Sequence, residues 1–140
     1  MSRAERWLKL LLRAAGGLML LAILAVSMPT SWMAVCHEWL GLGAFPDQPV
    51  VEYLARATSG LCAAMGGLLV LASADVRRYA AVITLLPLAY LAMGAAIWVY
   101  MLGAGRPAVL YVTGDFVSAA ALAVAVLVLQ AMLRRADRRA

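Results

Sequence analysis

The chain has 140 residues, of which 66% are hydrophobic and only 14% charged, and its mean hydropathy is +0.91. A water-soluble domain needs roughly a quarter of its residues charged, so this composition excludes an ordinary globular enzyme and points to a single membrane domain. Twelve basic and seven acidic residues leave a net charge of +5, and their positions along the chain carry more information than their sum.

Four apolar runs of bilayer length follow one another. The first spans about 11–28 and is interrupted only by Arg13. A secretory signal is its rival reading, since Ala25-Val26-Ser27 resembles a cleavage site, but the run exceeds the usual length of a signal core. A long connection, 29–53, comes next. Within it Thr30 or Ser31 is placed to cap a short helix that Gly41 and Gly43 would end, and Phe45-Pro46-Asp47-Gln48-Pro49 reads as a turn. Trp32, Val35, Trp39 and Leu40 recur at helical spacing, which predicts an amphipathic helix lying in the outer membrane interface.

The second span covers about 54–74. Gly60, Ala64 and Gly67, with Ala63, form a small-residue stripe for close helix contact, as Gly16 and Gly17 do in the first span. After the short connection 75–79 comes a third span, about 80–102, with Pro87 inside it and Tyr90 near mid-membrane. Trp98, Tyr100 and Tyr111 fall near the outer interface as an aromatic belt. The fourth span runs about 108–133, with Pro107 as a natural first-turn residue. The expected fold is therefore all-α: one domain, an integral membrane four-helix bundle with an interfacial helix in its first outer loop.

Charge gives the orientation. Arg3, Arg6, Lys9, Arg13, Arg77, Arg78, Arg134, Arg135, Arg138 and Arg139 lie at one set of span ends, whereas only Arg56 and Arg106 lie at the other. The excess of basic residues marks the cytoplasmic side, which places both termini there in a multi-pass protein of a bacterial inner membrane. Membrane lipids are the expected partners, with a homo-oligomer or a companion membrane subunit as a further expectation. A basic groove for nucleic acid is not expected, because the charge is topological.

Ionisable residues within spans mark candidate sites, since an Asp at the bilayer centre costs about 2.5–3.5 kcal/mol to insert. Arg56 and Asp115 lie about 10 and 12 Å inside their spans at 1.5 Å per residue, at a common level. Glu52 stands one turn before Arg56, so a Glu52–Arg56–Asp115 network, extended by Tyr53 or Tyr111, is the leading candidate for a ligand site or a register-fixing pair. His37 is an interfacial candidate partner for Glu or a headgroup phosphate. Cys36-His37-Glu38 diverge by about 100° per residue on a helix and do not readily chelate one ion. No metal and no cofactor, haem included, is expected.

Cys36 and Cys62 fall in the outer half, where a periplasm permits a disulfide, but no C-x-x-C pair is present and two buried unreactive thiols are expected. No phosphate loop, nucleophile elbow or paired-carboxylate spacing is present either, so catalysis is not the favoured reading. Binding of a lipid or other apolar ligand beneath the first loop is favoured. An oligomeric transporter or channel component, or a membrane redox or lipid-modifying enzyme, are the alternatives.

Arg13 with Gly16-Gly17, Pro29, Trp39-Leu40-Gly41-Leu42-Gly43, Arg56 with Gly60 and Gly66-Gly67, and a lone Asp115 opening the fourth span together resemble small DoxX-like bacterial membrane proteins. That resemblance implies a four-helix inner-membrane architecture and assigns no catalytic residues.

Overall fold

A computed structural model of the chain describes residues 3–104 and 110–138; the side chains of 110–113, 115 and 137 lie outside that description. Its elements are α1 (Arg3–Leu20), α2 (Ile23–Ser27), α3 (Thr30–Trp39), α4 (Pro49–Ala72), α5 (Ala80–Gly103) and α6 (Leu110–Asp137), and no strand occurs among the described residues. Inside a hydrocarbon layer a helix satisfies its own backbone, so apolar runs of this length fold in this way. Among the described residues, four helical stretches are long and apolar enough to cross a membrane: Arg3–Ser27, Pro49–Ala72, Ala80–Gly103 and Phe116–Ala136. At 1.5 Å per residue, each of the 24-residue helices is about 36 Å long. Leu18, Leu61 and Leu85 are 71%, 65% and 65% exposed, the pattern of side chains that face lipid.

The contacts divide the chain into two compact units, residues 13–71 and residues 1–12 with 72–140. In the first, α1 and α4 meet through glycine. A Cβ added to Gly16 would fall 2.6 Å from the Gly66 carbonyl oxygen, and one added to Gly66 would fall 2.6 Å from the Gly16 oxygen and 2.8 Å from the Leu20 nitrogen. The two backbones thus touch at a point that no other residue fits. The expected stripe is corrected here: Ala63 and Gly66 are buried while Ala64 is exposed, and Gly60 and Gly67 would accept a Cβ at ordinary contact distances of 3.8 and 3.9 Å. Just beyond the contact, Leu21 and Ala22 donate to the carbonyls three residues back, a tightened turn that separates α1 from α2.

Pro29 stands at the N-cap of α3 with an extended ψ of 142°, and its carbonyl accepts the N–H groups of Trp32 and Met33. Neither Thr30 nor Ser31 caps it; no side-chain cap hydrogen bond forms there, and the Thr30 hydroxyl is used elsewhere. The C-terminus is as expected. Leu42 N–H donates to His37 O and Gly41 N–H to Glu38 O, with Gly41 at φ +74°, which is the Schellman arrangement. Met33 is buried, whereas Trp32, Val35, Trp39 and Leu40 are exposed.

In the other unit, α5 packs along α6. The buried apolar residues are Leu8 and Leu12 from α1, Ala72 and Val76 around the 73–79 turn, Ile83 from α5, and Ala123, Val126 and Leu133 from α6. Glu5 pairs with Lys9 at 3.0 Å and with Arg77 at 3.5 Å, which ties the start of α1 to that turn. Asp75 closes the turn by accepting the backbone N–H groups of Arg77 and Arg78 at 3.2 and 3.0 Å. These bonds hold its carboxyl below the ordinary aspartate range, the Arg78 bond first. Gly94 lets the Phe116 ring lie against α5: a Cβ there would be 2.9 Å from Phe116 Cδ2. Trp98 stacks on the same ring at 6.5 Å and 17°. Trp98 is therefore packed against a helix neighbour, and its buried Nε1–H has no acceptor among the described residues. Tyr100 is exposed.

Candidate functional site

The Arg56 guanidinium gathers three separate chain segments. Its Nη1 donates to the Val26 carbonyl oxygen at 2.7 Å, its Nε and Nη2 donate to Glu52 Oε1 at 3.0 and 2.6 Å, and Nη2 lies 3.5 Å from Thr30 Oγ1. The Thr30 hydroxyl donates to the same Glu52 oxygen at 2.9 Å. Local sequence explains each part. Glu52 and Arg56 are one turn apart on α4, the spacing at which helix side chains meet. Val26 lies in the last turn of α2, where carbonyls lose their helical donors, and the chain then turns at Pro29. Arg56 supplies the missing donor and places a positive charge at a helix C-terminus, where the backbone dipole favours one.

Three donated bonds converge on Glu52 Oε1, leaving Oε2 without a protein donor among the described residues. Glu52 lines a cavity of about 290 Å³. Thr30, Ser31 and Ala34 of α3 form one side of it, and Phe45 and Asp47 of the following segment form another. Pro46, Gln48 and Pro49 complete it, so its polar lining combines two carboxylates and two hydroxyls with one amide, and its apolar part is the Phe45 ring, two prolines and the Ala34 methyl.

His37 stands apart from the Arg56 network. Its Nδ1–H donates to the Gly43 carbonyl at 2.8 Å, and its ring meets the Phe45 ring edge-on at 5.5 Å and 85°. The partner the structure shows for the ring is thus a backbone carbonyl, and the imidazole fixes the loop that carries Phe45 into the cavity wall. Tyr53 is 69% exposed. The Asp115 and Tyr111 side chains, the other members expected in the network, lie outside the described residues.

Cys36 and Cys62 are both free thiols, and Cys36 is exposed where a buried thiol was expected, because it shares the outward face of α3 with Trp32 and Trp39. Among the described residues no group of three His, Cys, Asp or Glu side chains is placed to hold a metal ion.

A second polar cluster joins α5 to α6. Gln130 is only 4% exposed; its amide donates to the Ala80 carbonyl at 2.9 Å, and its oxygen lies 2.7 Å from Thr84 Oγ1. That hydroxyl also lies 2.8 Å from the Ala80 carbonyl and accepts from Arg134 Nη2 at 3.3 Å. Sequence reasoning missed this cluster, although a signal for it existed. Thr84 lies about one turn inside the third span and Gln130 about one turn from the end of the fourth. A short connection that makes those spans antiparallel neighbours brings the two to one level.

No family model, curated protein or solved structure matches this chain.

Proposed function

We propose that this chain is a multi-pass protein of a bacterial inner membrane, with both termini cytoplasmic and related to the DoxX-like group, that binds an amphiphile through the cleft between α3 and α4. The cavity beside the Glu52–Arg56–Thr30 clasp carries this reading. At about 290 Å³ it holds the polar head of an amphiphile, at the lower end of the range for ligand pockets, while the exposed apolar face of α3 lies in the membrane interface beside it. Glu52 Oε2 and Asp47 accept hydrogen bonds, so the head that fits is a donor, bearing hydroxyl or amine groups. Arg56 holds Glu52 in place through two hydrogen bonds to Oε1. The role proposed is binding, with Glu52 held by the Arg56 and Thr30 hydrogen bonds as a fixed part of the wall.

Native mass spectrometry of the full chain extracted in mild detergent tests this. The wild type is expected to retain an amphiphile and to report any oligomer or companion subunit. Ala34→Phe, which fills the cavity from one wall, is expected to lose the adduct while unfolding at the same detergent concentration as the wild type. A bare chain, or a set of adducts that Ala34→Phe leaves unchanged, contradicts the reading.

A further inference from the structure

We propose a second site, at the arginine-rich end of α5 and α6, that holds the phosphodiester of an anionic phospholipid. A cavity of about 160 Å³ opens there, lined by Val76, Arg77, Ala80, Gln130, Leu133 and Arg134. This is far more than the 10–15 Å³ that one water needs. Two guanidinium-bearing side chains border it, and planar forks of N–H donors suit phosphate oxygens better than any other side chain does.

Arg134 spends one donor on Thr84 at 3.3 Å, and no other protein acceptor takes its remaining N–H groups among the described residues. Gln130, 4% exposed, gives one amide hydrogen to Ala80 and lines the cavity with the second uncommitted. The Glu5 carboxylate lies 3.5 Å from Arg77 Nη2 and orients that guanidinium while partly offsetting its charge. Arg134 is thus the principal anion ligand, Arg77 the second and Gln130 a neutral donor.

The surroundings favour a lipid over free phosphate. Val76 and Leu133 make part of the wall apolar, and the helices that lead away from it expose Leu85 and Met132, a track for acyl chains. A basic pocket between spans at the arginine-rich membrane face is where anionic headgroups are held.

The test is native mass spectrometry of the full chain in mild detergent, titrated with phosphatidylglycerol, phosphatidylcholine or inorganic phosphate. Phosphatidylglycerol is expected to bind one tight equivalent in preference to phosphatidylcholine, and inorganic phosphate in large excess is expected not to displace it. Arg134→Gln should weaken binding by at least about tenfold, the loss of one charge-assisted bond. Arg134→Lys, which keeps the charge and loses the fork, should fall between. Arg135→Gln with Arg138→Gln removes exposed charge from the same helix end and should leave binding within about twofold of wild type. Unchanged binding in Arg134→Gln, an equal loss in the Arg135/Arg138 variant, or displacement by inorganic phosphate would overturn the assignment.

Discussion

Replacing Arg56 by Met keeps the length and apolar stem of the side chain and removes every donor. The Val26 carbonyl then loses its 2.7 Å partner, and Glu52 Oε1 keeps only the Thr30 hydroxyl. A hydrogen bond to a charged group contributes about 1.5–3 kcal/mol, and an acceptor left without a donor in a non-aqueous setting does not recover it from water. The Val26 bond alone therefore predicts a shift of about 10- to 150-fold in the unfolding equilibrium. Arg56→Lys offers a single ammonium that cannot serve Val26 and Glu52 together, so it should restore only part of the loss. Glu52→Gln leaves the Val26 bond in place and should cost less than Arg56→Met. The assay is unfolding of the purified chain by SDS titration in mixed micelles, followed by circular dichroism. If Arg56→Met unfolds with the wild type, or if Glu52→Gln costs as much as Arg56→Met, the carbonyl-capping role of Arg56 is wrong.

Glycine substitutions separate contact from composition. Gly16→Ala and Gly66→Ala each force a methyl to 2.6 Å from a backbone oxygen and should each cost about 3 kcal/mol in the same titration. Gly17→Ala, with nothing within 4 Å, should be neutral or stabilising by about 0.5–1 kcal/mol; equal effects at positions 16 and 17 would refute the close approach. Gly41→Ala, at φ +74°, should loosen the end of α3 and raise amide exchange in 40–45, at a cost of about 1–2 kcal/mol. Asp75 makes stability pH-dependent. Its folded-state carboxyl lies below the ordinary aspartate range, so its contribution is present above about pH 4, the unfolded value, and is lost as pH falls through the folded one. Asp75→Ala should flatten that part of the stability–pH curve, and an unchanged slope below pH 4 would count against the turn's role.

The four apolar helices, the outward stripe of α3 and its glycine stop were legible because each rests on periodicity or on one residue's backbone preference. Glu52–Arg56 was legible for the same reason, as a pair four residues apart on one helix. What escaped were contacts that depend on which faces of distant helices meet. Ala64 and Gly67 look as suited to a seam as Gly66, and only the packing of α1 on α4 selects among them. Thr30 was read as a helix cap because hydroxyls favour that role, whereas an acceptor 22 residues away competes for its proton. The Val26 carbonyl was invisible, since a sequence shows no backbone acceptors.

Both proposed clefts depend on one orientation of the chain, in which the cleft between α3 and α4 opens outward and the arginine-rich end faces the cytoplasm. Labelling of intact cells with a membrane-impermeant maleimide tests this most directly, because Cys36 is a free, exposed thiol on α3. The account predicts that, in a Cys62→Ala background, Cys36 reacts before the cells are opened and that a cysteine placed at Arg138 reacts only afterwards. Reaction of Cys36 solely after lysis would contradict it.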